Sequence, residues 1–111
     1  MATISSHLLN SVDGSHASGV KVIINQINSS GIKKIFFETE TDDGGRILKD
    51  FELSNADCGC DYEMVCKTAD YFSKKKIVSE IIIKFRIEDP EKKYHLPIII
   101  SPNCYSIWWS Q

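Results

Sequence analysis

The chain has 111 residues, 42% of them hydrophobic and 25% charged, with a formal net charge of −2. That length fits a single domain over residues 1–111 with one ordinary core, and the mildly acidic balance argues against nucleic acid as a partner. The basic runs, Lys33–Lys34 and Lys74–Lys75–Lys76, are short enough to be solvated faces. No apolar stretch approaches the ~20 residues that span a bilayer. The opening MATISSHLLN lacks the basic and apolar regions of a secretory signal. A cytoplasmic, reducing setting is therefore expected, with Cys58, Cys60, Cys66 and Cys104 as thiols.

The chain opens on ISSHLLN, a short strand that carries His7. GVKVIINQI follows, alternating around Val20, Val22 and Ile24, and then IKKIFFETE from Ile32 to Glu40. DDGG at Asp42–Gly45 is a hairpin-type turn, and it delivers RILKDFEL, Arg46 to Leu53. YEMVCK covers Tyr62 to Lys67. KTADYFSKKK, from Lys67 to Lys76, departs from the pattern and reads as a two-turn helix. Thr68 or the residue before it would cap its N-terminus, and lysines suit the negative end of its dipole. SEIIIKFRIE (Ser79–Glu88), the EDPEKK turn and KYHLPIIIS (Lys93–Ser101) return to strand character. SPN at Ser101–Asn103 then breaks the chain before YSIWWS. β-branched and aromatic residues fill these segments, and Gly, Asn, Asp and Pro bound them. About eight short strands and one helix predict an all-β sandwich of two sheets.

Three polar residues stand out by position. His7 lies in the first strand, Arg46 opens a strand directly after a turn, and His95 lies inside a strong strand. Alternate residues of a strand share a face, so His95 is on the side of Pro97 and opposite Leu96. Each histidine alone reads as a hydrogen-bonded group packed at a sheet edge. Two neutral imidazoles facing one arginine would be a different matter. A neutral imidazole takes a proton from water near neutral pH, and a guanidinium offsets charge developing on an oxygen. Spacing alone does not bring the three together. His16, in the polar segment DGSHAS, reads as an exposed turn residue. The cysteines lack the paired C-x2–4-C spacing of a zinc site, so no metal is expected, and Cys66 and Cys104 read as buried apolar fillers. No G-x-S-x-G, phosphate-binding glycine loop or dinucleotide fingerprint occurs.

HLLNSVDGSHASGVKV (His7–Val22), DDGGR, YEMVCKTADYF and YHLPIIISPNCYS (Tyr94–Ser106) occur in that order. Together they resemble the transthyretin-like proteins over nearly the whole chain. The closing stretch resembles the family's Y-H-V-P-L-L-L-S-P-x-x-Y-S most specifically. The resemblance implies a sandwich of two four-stranded antiparallel sheets with one short helix. It also implies a homotetramer, a dimer of dimers, with sites in the channel between the dimers.

The histidine-containing branch of that family is 5-hydroxyisourate hydrolase, which acts in urate catabolism without a metal or organic cofactor. His7, Arg46 and His95 fall on that branch's catalytic positions. The ending departs from the family: the branch closes on Tyr-Arg-Gly-Ser, where this chain has Trp108, Trp109, Ser110 and Gln111. The family's opening-turn proline is His16 here. The resemblance makes Trp108, Ser110 and Gln111 substrate-binding candidates and places the tryptophans in the channel. Two rival readings remain, an inactive carrier of a flat aromatic molecule and a purely structural sandwich.

Overall fold

Strand β1, Ala2–Asn10, displays the rule that builds the molecule. Successive side chains of a strand point to opposite faces. Ala2, Ile4, Ser6, Leu8 and Asn10 are accordingly buried, whereas Thr3, Ser5, His7 and Leu9 are only half-buried. The computed structural model describes residues 1–72 and 77–109. The other strands are β2 (Lys21–Ile27), β3 (Lys33–Glu40), β4 (Arg46–Phe51), β5 (Asp61–Cys66), β6 (Ile81–Arg86), β7 (Lys93–Ile100) and β8 (Tyr105–Ile107). They form two four-stranded sheets, ordered β4-β1-β7-β8 and β3-β2-β5-β6. Between the sheets lies one core. Ile4, Leu8, Val22, Ile24, Met64 and Ile98 are wholly inaccessible there, each contributing roughly 1.5–3 kcal/mol through removal from water.

Four expectations change in detail. The sheets are not uniformly antiparallel, because β1 and β7 run parallel, with Ser5 opposite His95 and His7 opposite Pro97. Strands joined by a tight hairpin must be antiparallel. β1 and β7 are far apart in sequence and escape that constraint. Helix α1 is a single turn, Thr68–Tyr71, because Phe72 is already extended; the expected continuation through Ser73–Lys76 lies outside the described residues. Strand β8 ends at Ile107, short of the tryptophans. Cys66 is buried, but Cys104 is exposed in the turn before β8, where its thiol lies 2.8 Å from Ser101 Oγ. Burial pushes the Cys66 thiol up to about 12. Among the described residues, no helix is long and apolar enough to cross a membrane.

The turn before β4 is built tightly. Asp42 Oδ1 accepts the backbone N–H groups of Gly44 and Arg46, each at 2.9 Å. Gly45 has φ 72°, in the left-handed region that favours glycine. A Cβ there would lie 2.5 Å from the carbonyl oxygen of Leu8, which is backbone of the neighbouring strand. Gly45→Ala is therefore expected to cost more than about 1 kcal/mol, read as a lowered denaturation midpoint with an unchanged slope. An unchanged midpoint would show that β4 can shift freely, contrary to the packing seen here.

Candidate active site

The sheet β4-β1-β7-β8 has one face in the core and one face outside. His7 lies on the outer face of β1, directly opposite Arg46 on β4. Side chains so paired stand about 5 Å apart at Cβ. His95 is on the outer face of β7, opposite Ser5 and thus one diagonal step from His7. Diagonal neighbours at about 7–8 Å are within reach of long side chains. The topology therefore assembles all three candidates on one surface, across three adjacent strands, where the sequence spacing alone was silent.

Each group is held in its own way. The imidazole of His95 is half-buried, and its Nδ1 lies 2.8 Å from Ser5 Oγ. Arg46 is exposed and is fixed through its backbone by the Asp42 turn. His7 Nε2 lies 2.9 Å from Nδ1 of His16, and the two rings stack with centroids 5.0 Å apart. Burial holds His7 below its ordinary pKa. Arg46, His16 and His95 push it the same way, while the Gly44 carbonyl opposes them. His7 is thus biased toward the neutral form that acid–base chemistry and hydrogen bonding to a neutral amide require.

His16 and Ser5 are contributions the sequence reading missed. His16 was expected to be an exposed turn residue without a part in the site. It is exposed, but the loop after β1 folds back so that His16 bridges Leu9, and Ala17 N–H donates to the Leu8 carbonyl at 2.9 Å. Residues directly opposite in an antiparallel bridge share a face, which brings His16 to the side of Leu9 and His7. The signal lay in the short D-G-S turn, whose Gly14 has φ 77° and closes the loop. Ser5 was legible by parity alone, two residues before His7.

The aromatic ending separates into two. Trp108 follows Ser106, which is opposite the outward Ile99, and it is exposed. Trp109 instead lines a cavity of about 260 Å³ with Phe85, Arg86, Glu88, Tyr94 and Leu96. Tyr94 and Leu96 point to the core side of β7, so Trp109 is on the opposite side of the sheet from His95. The two tryptophans therefore do not share a face, since adjacent residues of an extended chain point opposite ways. Ser110 and Gln111 lie outside the described residues. Among the described residues, no group of three or more His, Cys, Asp or Glu side chains is placed to hold a metal ion.

The model of the HIUase/transthyretin family matches residues 4–109. The chain belongs to that family. It is similar to the 5-hydroxyisourate hydrolase of Salmonella dublin, 32% identical over 108 residues that cover 95% of this chain and 78% of the relative. Among solved structures, Klebsiella pneumoniae 5-hydroxyisourate hydrolase superposes with a TM-score of 0.77 at 23% identity, covering 100% of both chains. Transthyretin from Sparus aurata superposes with a TM-score of 0.82 at 20% identity, covering 96% of this chain and 95% of the other. The two superpositions establish the fold, which a hydrolase and a transthyretin share. Within that HIUase/transthyretin fold, the outer face of β4-β1-β7-β8 carries the polar constellation described above.

Proposed function

We propose that this protein is a 5-hydroxyisourate hydrolase that opens a ring amide of its substrate, a step of urate catabolism. The observation that carries the reading is the meeting of His7, Arg46 and His95 on one sheet face. It is supported by curated relatives of that name, 32% identical over nearly the whole chain in the case of Salmonella dublin. A carrier would need no such acid–base set.

His95 is the base in this reading. With Nδ1–H donated to Ser5 Oγ, Nε2 keeps its lone pair to accept a proton from water as the oxygen bonds to the amide carbon. Arg46 offsets the charge gathering on the carbonyl oxygen. Neutral His7 stands beside the substrate ring, its Nε2 engaged by His16. Collapse of the tetrahedral intermediate breaks the C–N bond, and the leaving nitrogen takes the proton that His95 removed from water. Trp108 walls one side of the site, and Ser110 or Gln111 supplies the hydrogen bond of the family's terminal serine.

A single copy leaves this face open, with Leu48 71% exposed beside Arg46's strand partners. A dimer of dimers that apposes two such faces would cover the site and exclude bulk water. The assay is direct: 5-hydroxyisourate, generated freshly from urate, is followed by its ultraviolet absorbance with and without catalytic amounts of the protein. Decay accelerated in proportion to protein is expected. Decay at the spontaneous rate would refute the assignment and leave the carrier reading.

A further inference from the structure

We propose that His16, supplied by the loop after β1, is a positioning residue that grips His7 and keeps it from taking up a second proton in the site. The inference rests on the hydrolase reading above and deepens it at a residue where the resemblance has proline. The geometry is a direct ring-to-ring hydrogen bond, Nε2 of His7 to Nδ1 of His16 at 2.9 Å, with the rings stacked at an interplanar angle of 25°. Of two nitrogens in such a bond, one must bear the proton and the other the lone pair. The Gly44 carbonyl favours the proton on Nδ1 of His7, which leaves Nε2 to accept from the His16 Nδ1–H, and a second proton on His7 would have to displace that donor.

The surroundings reinforce this. From β4, Arg46 faces His7; from β7, His95 does; from the loop, His16. Asp42, in the turn before β4, directs its Oδ1 to the backbone N–H groups of Gly44 and Arg46. His16 is anchored independently of its ring, by the backbone bridge to Leu9 and by Ala17 N–H on Leu8. A proline at this position would keep the loop but would offer His7 no hydrogen bond.

The test pairs NMR titration of the His7 imidazole with pH–rate profiles for 5-hydroxyisourate, in the wild type, His16→Phe and His16→Asn. Phe keeps the stack and removes the hydrogen bond, while Asn keeps a hydrogen-bonding group that does not titrate. In His16→Phe the His7 midpoint should rise, and the acid limb of kcat/KM should move to higher pH with it, whereas the amide N–H of His16→Asn can still donate to His7 Nε2 and should hold both near the wild type. The kcat plateau should fall about three- to tenfold in His16→Phe, with KM little changed, and His16→Asn should restore most of it. An unmoved His7 midpoint and an unmoved acid limb in His16→Phe would overturn the role of His16 while leaving the hydrolase reading intact. A wild type without turnover would overturn that reading, and the role of His16 in catalysis with it.

Discussion

His95→Asn is expected to lower kcat/KM for freshly generated 5-hydroxyisourate by about 10²–10⁴-fold, the usual worth of a positioned acid–base group. The fold should be indifferent to the change. His95 is half-buried on the outer face, and its hydrogen bond is to Ser5 Oγ, 2.8 Å from Nδ1. The asparagine amide occupies roughly the position of Nδ1 and can keep that bond, while the ring nitrogen beyond it is lost. Circular dichroism and the thermal midpoint should therefore match the wild type within the ±0.5 kcal/mol usual for surface changes. A variant that retained the full rate would remove His95 from the mechanism and return it to the role of a packed polar residue. A variant that lost rate and stability together would point to a structural task instead.

Arg46→Gln should have the second largest effect, about 10²–10³-fold in kcat/KM, with a dependence on pH that separates two contributions. Arg46 acts on the substrate oxygen and also on His7, whose pKa is held down first by burial and next by Arg46. Without the guanidinium, the His7 pKa rises toward its ordinary value. Protonation then begins at a higher pH, and the fraction of neutral His7 falls on the acid side first. The deficit should accordingly be deeper near pH 6 than near pH 8, where His7 is neutral in both proteins. Rates measured across that interval check the sign. An equal deficit at both ends would mean that Arg46 serves the substrate alone.

Much of the fold was legible because alternation is a strong signal in strands that are half in the core. Val20, Val22 and Ile24 read as one face and are all buried. Length was harder to read. The helix expected from Lys67 ends at Tyr71 because Phe72 turns extended and tucks into the core at 8% exposure; a local pattern does not announce that tertiary demand. Cys104 looked apolar by composition, but the turn it occupies satisfies its thiol through Ser101 and leaves it in solvent.

The candidate site was legible as a list of residues and not as a place. Parity puts His95 on the side of Pro97, but no local rule puts β7 beside β1, since that pairing joins segments 90 residues apart. His16 was missed for the same reason on a shorter scale. A polar loop predicts exposure, and whether it folds back onto its own strand depends on a turn closed by Gly14.

Strand β1 shows what a one-sided sheet permits in evolution. Ile4 and Leu8 answer to the core and cannot change without a cavity, whereas Ser5 and His7 answer only to whatever lies on the outer surface. Mutations on the second set are nearly invisible to stability and fully visible to chemistry. A lineage can therefore acquire, trade or discard an activity there at almost constant fold. The presence of one architecture in both a hydrolase and a transthyretin is the outcome such a division of residues makes easy.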